Sequence, residues 1–334
     1  MTSKHKILKW SSVVLFALLL HAIALCQTPG QTQNAQVAQP KEARILLTAI
    51  DHDGGFVSTL RAEDLRVLVD GVPQEIERFE RVTDRTLSLA ILIDTSASQE
   101  RTLPGQKLAA NSFLDSVVRP TLDRVAVATF TGTLSVEQKL TNDVTLLRKA
   151  IERAQFVPPP GYVRGGLVIG PPPPLKRTPA TLAGQTALWD AVINTCNDLL
   201  SPSAGEARRA IVVLTDGQDT ISQNKMAAAV FRAASDSVAV YAIGIGDTNV
   251  DGINKDALRK LSERTGGRAF FPKKIGDLKN IFAEIGQELR TQYSISLSPA
   301  NRQDGPGKIR IEIGNPDVRK SDVQLFYQQV LPRK

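Results

Sequence analysis

The chain has 334 residues, 42% of them apolar and 22% charged, which fits one or two globular domains and excludes wholesale disorder. Two cysteines, Cys26 and Cys196, exclude a disulfide scaffold and a four-cysteine zinc site. Three histidines, His5, His21 and His52, leave little for a histidine-based metal site or catalytic centre.

Lys4, Lys6 and Lys9 form a basic start without an acid, and 13–24 is apolar apart from His21. Twelve such residues are too few for a membrane span, which needs about 20. A basic start and a short apolar run predict a secretory signal over 1–26, and Ala24-Leu25-Cys26 places small residues for cleavage before Gln27. The alternatives are a lipoprotein box with Cys26 acylated, which the bulky Leu25 disfavours, and an uncleaved anchor. Removing 1–26 takes away three lysines and no acid, leaving 38 basic and 34 acidic residues, a mild net charge of +4. No basic run is interleaved with aromatics, so nucleic-acid binding gains no support. Cys196 is then the remaining cysteine, expected as a buried thiol on a helix.

Residues 27–40, with five glutamines and two prolines, read as a flexible linker. The segment 41–86 predicts a small N-terminal β unit: strands at 45–50, 65–69 and 75–79, with turns at Asp53-Gly54-Gly55 and Asp70-Gly71. From 87 the pattern changes. The continuous apolar run 87–93 is a strand buried on both faces, as in a parallel sheet. Helices at 102–118, 144–154, 186–200, 222–234, 255–265 and 275–289 then alternate with strands at 124–130, 134–138, 210–214, 237–245 and 268–271. This predicts an α/β fold with a doubly wound, mainly parallel sheet over 87–290. The final segment, 291–334, carries strand patterns at 292–297, 308–313 and 323–327, expected to pair with the N-terminal strands so that the α/β domain is inserted in, or flanked by, one small β domain. Residues 156–185 break the rhythm with eight of the nineteen prolines and read as a long proline-rich insertion, either solvent-exposed or contacting a partner.

The candidate chemistry lies at strand ends. Run 87–93 leads into Asp94-Thr95-Ser96-Ala97-Ser98, a helix opens at Gln185-Thr186-Ala187, and run 210–214 leads into Thr215-Asp216-Gly217. In open α/β sheets ligands bind beyond the carboxyl ends of the strands. Asp94, Ser96 and Ser98 alternate, so one loop can aim all three oxygens at a point. With Thr186 and Asp216 they make two carboxylates and three hydroxyls, without imidazole or thiolate. That set suits a hard cation, Mg²⁺ or Mn²⁺, with water in some positions. Two formal charges leave room for a carboxylate from a partner. Each piece alone also has an ordinary role: turn, helix cap or Asp-Gly bend. Their joint occurrence points to metal.

These residues resemble the metal-ion-dependent adhesion site of von Willebrand factor A domains. The resemblance covers about 87–290 and extends to Tyr241-Ala242-Ile243-Gly244-Ile245-Gly246 and Thr265-Gly266-Gly267-Arg268. The flanks, including Asp70-Gly71 with Gln74, resemble a secreted subgroup seen in Acidobacteria. The resemblance implies direct ligation by Ser96 and Ser98, action through water for Asp94 and Asp216, and direct ligation by Thr186 in the ligand-competent state. It also implies a protein ligand whose Asp or Glu completes the cation's shell. The proline-rich insertion before Thr186 departs from the family pattern. A different function, a cell-envelope scaffold binding through the β flanks or the proline-rich loop with metal serving only stability, is the alternative.

Other chemistry fits less well. Asp247-x-Asn249-x-Asp251-Gly252 begins like a calcium loop, but its twelfth position is Leu258 where a Glu is required. A phosphotransferase would need a second acid where Ser96 stands, and a serine hydrolase a base, with His52 in the β flank. Gly244-Ile245-Gly246 lacks the third glycine of a phosphate-binding loop. No enzyme is expected. Trp189, just after Thr186, is expected in the core rather than in recognition.

Overall fold

The computed structural model describes residues 43–83, 85–163, 167–169, 178–201, 207–246, 252–298 and 307–331. The signal at 1–26, the linker at 27–40, the calcium-like loop at 247–251 and most of the proline run, 170–177, lie outside the described residues.

The described chain opens with strands β1 (Ala43–Ile50), β2 (Leu65–Val69), β3 (Val72–Gln74) and β4 (Ile76–Thr83). β2 and β3 form a tight hairpin because Asp70 and Gly71 both adopt positive φ, 51° and 82°, the primed geometry that matches strand twist. β3 is short and exposed, which is why no alternating pattern announced it.

A second unit follows: β5 (Leu87–Asp94), α1 (Leu103–Val117), β6 (Arg124–Phe130), β7 (Leu134–Thr141), α2 (Val144–Arg153), the small hairpin β8 (Tyr162–Val163) and β9 (Leu167–Val168), α3 (Pro179–Leu182), α4 (Leu188–Thr195), β10 (Arg208–Thr215), α5 (Met226–Ser235), β11 (Val238–Gly244), α6 (Lys255–Arg264), β12 (Ala269–Phe270) and α7 (Leu278–Arg290). Its sheet runs β12-β11-β10-β5-β6-β7, parallel except for the edge strand β7. All eight residues of β5 are buried, as its apolar run requires of a central strand covered on both faces. Helices α1, α2 and α7 cover one face, where Phe113 and Phe282 meet edge to face at 5.3 Å. Helices α4, α5 and α6 cover the other, and Trp189 and Cys196 are buried there. Burial also pushes the Cys196 thiol up to about 12, so it stays protonated.

The chain returns through β13 (Thr291–Leu297), β14 (Gly307–Ile313), α8 (Pro316–Lys320), β15 (Gln324–Tyr327) and β16 (Val330–Leu331). Two antiparallel sheets result, β15-β1-β13-β4 and β16-β14-β2-β3, each mixing strands from both ends of the chain. Inward residues Ile45, Leu47, Tyr293, Ile295, Ile309 and Ile311 form their shared core. The α/β domain is therefore inserted in a small β domain. Buried side chains join the two: Arg208, at the start of β10, donates to the carbonyls of Val82 on β4 and Leu289 on α7.

On α7, Glu288 is buried against Arg268 at 2.5 Å, with Glu284 nearby on the same guanidinium at 3.3 Å. Burial, aided by the Glu284 charge and opposed by Arg268, pushes Glu288 from the usual 4.5 up to about 7. An unfolded chain releases this proton near pH 4.5 and the folded chain near 7, so in that window the folded state binds more protons. Stability contributed by Glu288 is thus complete below about pH 4.5 and is lost as pH rises through 7. Urea unfolding at pH 5, 6 and 7 is expected to show a decline that Glu288→Gln flattens, with an upper limit of about 3 kcal/mol.

Candidate metal centre

β5 and β10 are neighbours in register, Leu214 opposite Ile93, yet the chain leaves β5 toward β6 on one side and β10 toward β11 on the other. Their carboxyl ends therefore flank a switch point, where the crevice of an open sheet forms. Asp94 closes β5 and Thr215-Asp216 closes β10, which brings together two carboxylates 122 positions apart in the chain.

Asp94 is fully buried. The Ser96 amide donates to its Oδ1 at 3.0 Å, and the Thr215 hydroxyl donates to its Oδ2 at 2.5 Å. Thr95 points the other way and donates, through both its amide and its hydroxyl, to the Phe130 carbonyl at the end of β6. That turn leaves Ser96 and Ser98 side by side, their hydroxyls 3.3 Å apart. Asp216 is also buried, and accepts the Gln218 amide at Oδ1 (2.9 Å) and the Gln99 side-chain amide at Oδ2 (2.7 Å).

Thr186, buried at 4% exposure, lies on the loop before α4. Its amide donates to the Thr220 hydroxyl (2.9 Å), and its carbonyl accepts the Thr220 and Ile221 amides. The helix expected from 186 begins at Leu188, because Asp219 from the third loop accepts the amides of Leu188 and Trp189 in place of a local cap. Similarly α5 begins at Met226 rather than 222, since Asp190 takes the amides of Gln223 and Asn224. The Ala97 amide donates to the Gly184 carbonyl at 2.9 Å. Each pair among the loops 94–99, 184–188 and 215–222 is thus cross-linked, and all five predicted residues lie on these three loops.

Glycine has a packing role beside them. Gly217 holds φ +80°, and a Cβ there would fall 2.7 Å from the Leu258 side chain. A Cβ on Gly246 would press on Asp216 Cβ at 3.0 Å, and one on Gly244 would lie 2.6 Å from Phe271. The pair Gly244 and Gly246 lets β11 end against the Asp216 loop.

The proline-rich segment folds against the same loops. The Val157 amide donates to the Thr95 carbonyl, Tyr162 donates to Glu100 at 2.5 Å, and a Cβ on Gly184 would meet Pro159 at 2.5 Å.

The electrostatics at Asp94 are set by burial and a neighbouring carboxylate. Burial, and next the charge of Asp216, push Asp94 up to about 7, against the hydrogen bonds from Ser96 and Thr215. Among the described residues no three His, Cys, Asp or Glu side chains gather into a cluster, so any cation here depends on hydroxyl and water oxygens as well as carboxylates. That all-oxygen set fits a hard divalent ion. Gln99, Thr215, Asp219 and Thr220 were not singled out from sequence. Only Thr215 carried a signal, as the hydroxyl beside Asp216 at a strand end.

Residues 175–284, about a third of the chain, match the model of the von Willebrand factor type A domain family. The match starts inside the proline-rich segment. Loop 94–98 precedes it, and β5, which carries that loop, pairs with β10 inside the matched segment. No curated protein matches the chain. Among solved structures, proximal thread matrix protein 1 from the mussel byssus aligns at 17% identity and TM-score 0.49, over 66% of this chain and 50% of that one. A structure of that protein with a zinc-occupied MIDAS motif aligns at 16% and 0.49, over the same shares. A von Willebrand factor type A protein from Catenulispora acidiphila aligns at 14% and 0.46, over 75% of this chain and 72% of that one. The chain spans about half the length of the mussel protein it matches.

Thr215→Val keeps the shape but removes the hydroxyl that donates to Asp94. It is expected to cost about 1–3 kcal/mol in metal-free urea unfolding, the price of a buried carboxylate losing a donor.

Proposed function

We propose that the chain is an exported, metal-dependent protein-binding module for adhesion or assembly. Asp94, Ser96, Ser98, Thr186 and Asp216 hold Mg²⁺ or Mn²⁺, and an Asp or Glu of a protein ligand completes the shell. The observation that carries this reading is the pairing of buried Asp94 and Asp216 with the adjacent Ser96 and Ser98 hydroxyls at one sheet edge. A divalent cation would supply the positive charge that relieves the repulsion between the carboxylates. Ser96 and Ser98 would ligate it through Oγ, the carboxylates would act largely through water, and Thr186 would ligate in the ligand-competent arrangement. Two protein charges balance a divalent ion without over-neutralising it, and a partner carboxylate would complete its oxygen shell.

The reading is not enzymatic. His52, the histidine among the described residues, sits at the surface of the β domain beside Asp53, where it cannot serve Ser96 as a base. In this reading 87–290 is the binding module, and 41–86 with 291–334 form the β domain that carries it. Residues 1–26 are the export signal, which delivers the protein to the periplasm, cell envelope or exterior. Among the described residues no helix is long and apolar enough to cross a membrane.

Thermal unfolding of residues 27–334 with Mg²⁺ or Mn²⁺ tests the site. At a hundred times Kd the cation is expected to add about 2.7 kcal/mol, and Asp94→Ala to abolish the gain. A gain that persists in Asp94→Ala would sink the reading. Amino-terminal sequencing of the exported protein tests the signal, with Gln27 expected first.

A further inference from the structure

We propose that Gln99 is a positioning residue of this cation site, an inference that rests on the reading of the site given above. Gln99 directly follows the Asp94-x-Ser96-x-Ser98 run and is fully buried. Its Nε2 donates to Asp216 Oδ2 at 2.7 Å and to Ser98 Oγ at 3.1 Å. Its Oε1 accepts the Thr102 hydroxyl at 2.5 Å and Gln106 Nε2 at 2.7 Å. Both amide hydrogens and both oxygen lone pairs are therefore used, which a buried amide requires. The orientation is fixed chemically: a flipped amide would turn its oxygen toward the Asp216 carboxylate and its nitrogen toward the donor on Gln106.

Gln99 thereby ties together two oxygens of the site that lie on different strands' loops. Asp216 and Ser98 keep their separation before any cation arrives, because α1, through Gln106, anchors the far side of the amide. An apolar side chain at 99 would remove the tie between Ser98 and Asp216 and keep the Thr215–Asp94 link. Cation binding would then have to organise Asp216 as well as hold it.

The test is Mn²⁺ titration of the full-length chain by calorimetry and by electron paramagnetic resonance, with wild type, Gln99→Met and Asp94→Ala. Far- and near-ultraviolet circular dichroism of the metal-free proteins reports folding separately. The expected result is at least tenfold weaker Mn²⁺ binding by Gln99→Met with a metal-free spectrum like wild type, and no binding by Asp94→Ala. Equal Mn²⁺ affinity in Gln99→Met and wild type would overturn the role of Gln99 and leave the site standing. Absence of Mn²⁺ binding in wild type, or binding undiminished in Asp94→Ala, would overturn both. If Gln99→Met does not fold, Gln106→Met reads the same link one residue further out: about threefold weaker binding supports the role and unchanged binding overturns it.

Discussion

The structure turns on the burial of two like charges side by side. Asp94 and Asp216 lie at the ends of adjacent central strands, almost wholly removed from water. Burial disfavours ionisation of Asp94, and the charge of Asp216 makes it harder still. Everything nearby answers that problem with hydrogen-bond donors: the Ser96 amide and Thr215 hydroxyl on Asp94, the Gln218 amide and Gln99 side chain on Asp216. Donors alone do not restore Asp94 to the usual carboxylate range. A positive charge would, and the hydroxyls of Ser96 and Ser98 lie side by side on the loop that Asp94 opens.

The rest of the fold keeps that arrangement rigid. β5 is central and buried on both faces, so Asp94 is held by a strand with no room to shift. Gly217, Gly244 and Gly246 allow the chain to pass close to Asp216 and Leu258 where any side chain would collide. The described ends of the proline-rich segment pack on the same loops, through Val157, Tyr162 and Gly184.

The parts of this that could be read from sequence are those encoded locally. The apolar run of β5, the Asp-x-Ser-x-Ser spacing and the strand-helix alternation each occupy a few neighbouring residues, and the α/β sheet within a β domain followed from them. The alternation in 292–297 and 308–313 was enough to expect strands that pair with the N-terminus, as β13 does with β1 and β14 with β2. What stayed hidden depends on contacts between distant residues. The starts of α4 and α5 are set by Asp219 and Asp190 reaching across loops, not by local caps. Gln99 reads as a polar residue entering a helix until the fold brings Asp216 against it. Gly244-Ile245-Gly246 invited comparison with a phosphate loop, whereas its glycines answer to Phe271 and the Asp216 loop.

The insertion has a mechanical consequence. β4 and β13 run antiparallel with Thr83 opposite Thr291, so the chain enters and leaves the α/β domain side by side, and Arg208 on Val82 and the Gln329 amide on the Arg264 carbonyl tie the two domains further. Tension applied to the chain at Ala43 and Leu331 would enter the β domain first, where β1 pairs with β13 and β15, and β16 pairs with β14. The strands that meet the pull are therefore those of the β domain, while the loops around Asp94 and Asp216 belong to the other sheet.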